Sequence, residues 1–347
     1  MSHKKKGGVL IGVCSVIRGT GAYLPDFVLD NFMFDQTVET SDDWIISRTG
    51  IKERRMEQEK YNFQMIGEAC CCALENAKIL PSEIDHIIVS TITPDFIFPS
   101  TACLVQNYIN ALNAASFDIS AACAGFVFAL DLADSYIKSG KAKNMLIASG
   151  DVLTRTVDYY DRGNCILFGD GAGAAVVSAC ESDEGFGVLS TYVNCECDGE
   201  KPYFIKSRLY EPGQIYNKAT KQFMGNATKV QDSYISQNGR AVLEFVSRIV
   251  PKSLDEVSAR ANIDVSDLKY IIMHQANRRI LYHVIEKYGL NPEKVPMSIE
   301  KYGNTSSSTV PILLHELVSE GKINKGDLIA FLGFGSGLSY GAAVIRW

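Results

Sequence analysis

Two stretches decide how this chain folds: PSEIDHIIVS, Pro81–Ser90, and VSDLKYIIMH, Val265–His274. Each runs from a turn through a serine–acid step into an apolar run of strand length. Ser82 and Ser266 lie 184 residues apart. Each strand follows an alanine-rich helical stretch, EACCCALENAKI (68–79) and LDEVSARANI (254–263). A second pair repeats in the same order: GDGAGAAVVS, Gly169–Ser178, and SGLSYGAAVIRW, Ser336–Trp347, with Gly173 and Gly341 168 residues apart. Each has a Gly-rich turn followed by Gly-Ala-Ala-Val. Matched segments in one order indicate two related halves. The first glycine cluster lacks Gly-x-Gly-x-x-Gly spacing and reads as a hairpin turn, not a phosphate loop.

Within the first half, HIIVSTI (86–92), AASFDI (114–119) and NMLIASG (144–150) are apolar runs of strand length. Helical spacing fills the gaps, in ACLVQNYINAL (102–112) and in AGFVFALDLADSYIKSG (124–140), the latter closed by Gly140. In the second half YIIMH (270–274), VPMSI (295–299) and LIAFLGF (328–334) alternate with NRRILYHVIEKYG (277–289) and TVPILLHELVSEG (309–321). Continuous apolar strands between helices require sheets covered on both faces. The expectation is an α/β protein, a duplicated five-layer α/β/α/β/α sandwich. Its N-terminal half spans 1–180, a connection and insertion 181–238, and its C-terminal half 239–347. The polar, tyrosine-rich stretch 195–238 carries few structural signals.

Composition agrees with this size of core. Of 347 residues, 46% are hydrophobic and 21% charged, and the net charge of −6 gives no broad basic face for nucleic acid. Lys4–Lys6 reads as a solvated tail, and Gly8–Val16 is too short and glycine-rich to span a membrane. Ten cysteines, three of them consecutive at Cys70–Cys72, do not form a disulfide pattern in a chain of this length; they point to a reducing compartment, the cytoplasm. Cys195-x-Cys197 lacks the two-residue gap and second pair of a zinc site, so no metal is expected.

One thiol stands apart. In DISAACAGF, Asp118–Phe126, small residues crowd Cys123 on a tight strand-to-helix turn. They permit the sharp turn and leave the sulfur approachable, and a helix N-terminus favours thiolate. A packed cysteine beside Gly125 is the competing reading. His274 ends a strand, at the edge where α/β folds gather reactive groups. His283 and His315 fall within helical patterns, His86 falls mid-strand and His3 in the tail. Asn304 lies on a glycine-containing turn before a helix, where it also fits a helix cap. Carrying Cys123 forward by the 184-residue offset lands at position 307, in this same turn. The two junctions are therefore equivalent across a pseudo-twofold axis. A Cys-His-Asn order also describes papain-like proteases, but those place cysteine near the mature N-terminus in a different local context.

ETSDDWIISRTGIKERR (39–55), AACAGF (121–126), DRGNCILFGDGAGAAV (161–176), HQANRRI (274–280), YGNTSSSTVP (302–311) and GFGSG (333–337) together resemble β-ketoacyl-acyl carrier protein synthase III. The resemblance runs from about Val9 to Trp347 and is weakest over 195–238. It implies a thiolase-like fold, in accord with the duplication. Thiolases carry a second cysteine in the C-terminal glycine turn, which GFGSG lacks, and elongating synthases use two histidines where this chain has Asn304. Hydroxymethylglutaryl-CoA synthases use a glutamate in another context. A Cys-His-Asn polyketide synthase, or an acyltransferase using a different acceptor, is the alternative; a non-catalytic binding protein is disfavoured by the presence of all three residues.

The resemblance implies an acyltransferase that initiates fatty acid synthesis by decarboxylative Claisen condensation. Cys123 is acylated by an acyl-CoA primer. Malonyl-acyl carrier protein then loses CO₂, His274 and Asn304 donating to the enolate oxygen, and the carbanion attacks the acyl group to give a 3-oxoacyl-acyl carrier protein. Backbone N–H groups of Cys123 and Ser336 form the oxyanion hole. Ser336 stands where the family often has glycine, and a need for positive φ would strain it. Trp44, Arg48, Arg162 and Asn277 match CoA-binding positions, and Arg278 and Arg279 suit an acidic carrier protein. Phe98 and Leu243 shape the primer pocket, Phe98 from across a homodimer. No cofactor is implied, since the CoA thioester and phosphopantetheine arrive as substrates, and neither nucleic acid nor membrane is a partner.

Overall fold

The computed structural model describes residues 5–6, 9–10, 12–181, 185–207, 216–217, 221–223 and 234–347. Lys4 of the basic run and most of the insertion between 208 and 233 lie outside the described residues. The first sheet takes β1 (Val13–Tyr23), β2 (His86–Ser90), β3 (Ala115–Ile119), β4 (Asn144–Val152) and β5 (Asp170–Glu181), in the order β1-β5-β4-β2-β3. The second takes β6 (Gly187–Cys195), β7 (Tyr270–Met273), β8 (Leu328–Phe334) and β9 (Ser339–Arg346), in the order β6-β9-β8-β7. In each sheet two antiparallel pairings are followed by a parallel one. The sequence pairs fall on matching places: 81–90 and 265–274 lead into β2 and β7, and the two Gly-Ala-Ala-Val runs lie in β5 and β9.

The helices complete five layers. Between the sheets lie α4 (Gly125–Lys138) and α8 (Thr309–Ser319), whose Phe126, Leu130, Leu313 and Leu317 pack with Ile147 and Val177 of one sheet and Phe331 and Ile345 of the other. Outside the first sheet are α2 (Asn62–Ala77) and α3 (Thr101–Tyr108). Outside the second are α5 (Gly239–Ala261) and α6 (Arg278–Tyr288). A short α1 (Asp42–Thr49), capped by Ser41, abuts α6, and α7 (Ile299–Tyr302) is a single turn. The fold is the expected thiolase-like sandwich. Close packing of α2 on β1 depends on glycine: a Cβ on Gly21 would lie 2.2 Å from the Ala69 carbonyl oxygen.

Four local expectations change. The glycine cluster of 169–178 is no hairpin turn: Asp170–Glu181 is one long strand, and its small residues let α8 lie close, with a Cβ on Gly173 falling 2.8 Å from Pro311. VPMSI forms no strand. It runs from a turn at Pro292–Lys294 into α7, and the Ser298 N–H is taken by the Gln275 side chain at 3.1 Å instead of a ladder. Among the described residues the second sheet thus has no counterpart of β3. His86 begins β2 rather than lying mid-strand. Residues 187–195, within the stretch read as connection, supply edge strand β6 of the second sheet.

Candidate active site

β3 delivers the chain to a 3₁₀ turn at Ala122–Ala124, and α4 begins at Gly125. Ala122 adopts φ 46°, the left-handed turn for which a small residue is suited. Gly125 permits the helix start, since a Cβ there would meet the Ser90 hydroxyl at 1.6 Å. Cys123 therefore sits at the N-terminal end of α4, half-buried, its Sγ 3.6 Å from the Ser306 hydroxyl. Burial pushes the thiol up to about 12; the Ser306 bond opposes this and the Asp151 carboxylate adds to it. Desolvation is the largest of these effects and favours the neutral thiol.

His274 follows β7 and is fixed from three sides. Its backbone N–H donates to the Leu332 carbonyl at 2.8 Å, Nδ1 lies 2.8 Å from the Thr309 hydroxyl, and the ring meets Phe334 edge-on. Burial pulls its imidazolium down to about 3, against a weaker opposing effect of the Ser306 carbonyl. The ring is neutral at any physiological pH. Asn304 follows Gly303, whose φ is 63°, and bridges β5's entry: its N–H donates to Leu167 and its carbonyl accepts from Gly169. Its Oδ1 accepts the Ser306 N–H at 2.9 Å, which leaves the amide NH₂ for the cavity.

Cys123, His274 and Asn304 line one cavity of about 900 Å³. Trp44, Arg48, Arg162, Asn277, Arg279, Leu243 and Ser336 line it too. At the mouth Arg162 lies over Trp44, with Cζ 4.7 Å from the ring centre, and Arg48 approaches the same ring at 5.8 Å. Asn277 caps α6, its Oδ1 accepting from the Arg279 N–H and its NH₂ reaching the Arg48 carbonyl. The adjacent arginines part company: Arg279 is exposed, whereas Arg278 folds back to the Ile46 carbonyl at 3.1 Å. Phe98 is absent from the cavity wall and 83% exposed. The glycine turn raises no strain at Ser336, because the positive φ falls on Gly337 at 112°. The Ser336 hydroxyl donates to the Ile205 carbonyl at 2.5 Å, which ties the turn to the start of the insertion.

Sequence reasoning missed the buried polar shell behind these residues. Ser306, Ser307, Ser308 and Thr309 are buried, and Asp151 Oδ1 collects donors from Thr91, Ile92 and Thr93. The available signal was the run TSSST leading into an apolar helix, too polar for a core and too long for a cap.

The chain that builds this cleft matches known proteins over most of its length. Residues 117–199 match the family described as 3-Oxoacyl-[acyl-carrier-protein (ACP)] synthase III, and residues 258–347 match its C-terminal part. A curated β-ketoacyl-[acyl-carrier-protein] synthase III of Aquifex aeolicus is 42% identical, covering 95% of this chain and 99% of its own. The chain belongs to the β-ketoacyl-[acyl-carrier-protein] synthase III family. Another such synthase, from Clostridium perfringens, is 42% identical over 95% of this chain and 98% of its own. The crystal structure of the Aquifex aeolicus 3-oxoacyl-[acyl-carrier-protein] synthase III superposes with a TM-score of 0.86, covering 96% of this chain and all of that one. Like other synthases of the family, this protein is an acyl-transferring condensing enzyme of fatty acid synthesis. Among the described residues no helix is long and apolar enough to cross a membrane.

Proposed function

We propose that this chain condenses an acyl-CoA primer with malonyl-acyl carrier protein, with Cys123 as nucleophile and His274 and Asn304 as donors to the enolate. The observation that carries this reading is the convergence of the three residues, from both halves, on one cavity. Cys123 attacks the acyl-CoA carbonyl; CoA leaves as its thiol, taking the proton the cysteine gives up. The Cys123 and Ser336 N–H groups hold the oxyanion. Malonyl thioester then loses CO₂, and the charge passes to its thioester oxygen. Neutral His274 and the Asn304 NH₂ suit that oxygen, where a carboxylate would repel it. The carbanion attacks the acyl-Cys123 carbonyl and releases the thiolate.

At the mouth, Arg162 swings from the Trp44 face to admit the CoA base, with Arg48 at the phosphates and Asn277 along the pantetheine arm. Exposed Arg279 meets the acidic carrier protein, and Arg278 supports it by holding α6 to α1. Leu243 borders the primer, and exposed Phe98 closes its pocket from a partner subunit in a cytoplasmic homodimer. The chemistry needs no further cofactor, because both thioesters arrive as substrates. The polyketide alternative is not favoured by the family to which the chain belongs. CO₂ release from labelled malonyl-acyl carrier protein, dependent on an acyl-CoA, tests the reaction; thioester hydrolysis without CO₂ release refutes it.

A further inference from the structure

We propose that Cys14 and Cys180 form a reversible dithiol–disulfide site, oxidised by a small-molecule disulfide. The inference is independent of the reaction at Cys123. Cys14 on β1 pairs directly with Cys180 on β5 in the antiparallel ladder, flanked by the pairs Val13–Glu181 and Ser15–Ala179. Directly opposed residues share one face of a sheet. Their Cα atoms lie about 4.5–5.5 Å apart, inside the span of about 4.4–6.8 Å that a disulfide bridges. Among the described residues no other strand pairing sets cysteine against cysteine.

The Cys14 side chain already reaches across the ladder: its thiol donates to the Cys180 carbonyl at 3.1 Å. Both cysteines are free and partly exposed, within reach of a small oxidant. Cys180 shares the face of β5 that bears Ala174 and Val176, which pack with α2, but α2 ends at Ala77, against Gly19, and stops short of the pair. β5 begins beside Asn304, and Cys180 lies at its far end, away from the cavity. In the exchange, one cysteine thiolate attacks the small disulfide and expels a thiolate; the second cysteine thiolate attacks the resulting mixed disulfide at the protein sulfur and expels the other. Two cysteines are oxidised, the small disulfide is reduced, and the two cysteine protons end on the two released thiols. In a reducing compartment the site rests as two thiols and closes when small disulfides accumulate. Closing fixes β1, the edge strand of the first sheet, to its neighbour β5. The bond joins positions 166 apart in sequence, a separation at which it strongly restricts the unfolded chain.

The test incubates the protein with excess oxidised glutathione, alkylates the remaining thiols, digests without reductant and maps linked peptides by mass spectrometry, with fragmentation to place the bond. The expected product joins Cys14 to Cys180, is two hydrogens lighter than its two peptides together, and disappears on adding dithiothreitol. The linked protein melts about 5 °C higher by circular dichroism, and reduction reverses the shift. Cys14→Ser and Cys180→Ser show neither link nor shift. Glutathione adducts on the two cysteines without a bond between them, a link to another cysteine in place of this pair, or an equal yield of the link from urea-unfolded protein overturns the site. A link with unchanged Tm, or a shift that persists in either serine variant, overturns its hold on β1.

Discussion

Gly335 lies against the turn that carries Cys123. Its φ of −172° is open to any residue, so contact rather than conformation requires glycine. A Cβ at 335 would lie 2.6 Å from the Cys123 backbone nitrogen, 3.0 Å from Ala122 Cβ and 3.2 Å from Cys123 Cβ. Carbon contacts settle at about 3.5 Å, so Gly335→Ala forces the two turns about 0.9 Å apart. The Cys123 N–H is one of the proposed oxyanion donors, and a misplacement of about 1 Å costs about a hundredfold in rate. Overpacking of this kind costs about 1–3 kcal/mol, a Tm shift below about 10 °C in a chain this long. Single-turnover acylation with labelled acyl-CoA, alongside thermal melting by circular dichroism, separates the two effects. The expected variant is folded and acylates about a hundredfold more slowly. A variant that acylates at the wild-type rate would show that the geometry of these turns does not serve the reaction.

Asn304→Ala removes the NH₂ that faces the cavity and should cut CO₂ release about a hundredfold while Cys123 still acylates; equal loss of both steps in a folded variant would contradict that division. Burial holds the Cys123 thiol at about 12, so acylation should climb about tenfold per pH unit through the neutral and alkaline range as thiolate grows. His274, with its imidazolium pulled down to about 3, is already neutral there and adds no inflection; an acylation profile flat above pH 7 would show a thiol far more acidic than its burial implies. Ser336→Ala keeps the backbone N–H but loses the bond to the Ile205 carbonyl, so KM for acyl-CoA should rise with the saturated acylation rate retained. A fall in that rate with KM unchanged would assign the hydroxyl to the chemistry.

Much of this was legible before any coordinates. The paired segments gave the duplication because strands buried on both faces admit few residue types, and β2, β5, β7 and β9 all have that environment. Cys123, His274 and Asn304 stood out because each sits where an apolar strand or glycine turn gives way to a helix. What failed was local. VPMSI has strand-like residues, yet its backbone is satisfied by Gln275 across the fold, which no window of sequence reveals. GDGAGAAV looked like a turn because glycine usually marks one; here small residues make room for α8 against β5. Thr309 and Ser306 were hidden in a polar run, and their importance arises only when folding brings His274 and Cys123 beside them. The desolvation that raises the Cys123 thiol is a property of the cavity rather than of the turn, so no window of sequence reveals it.

The central claim is that Cys123 alone carries the acyl group between two substrates. Incubating the protein with acyl-CoA, quenching, digesting and mapping peptides by mass spectrometry tests it directly. The account predicts one acyl adduct, on the peptide containing Cys123, discharged when malonyl-acyl carrier protein is added and missing in Cys123→Ala. An adduct on another cysteine such as Cys103 or Cys165, or labelling that persists in Cys123→Ala, would contradict it.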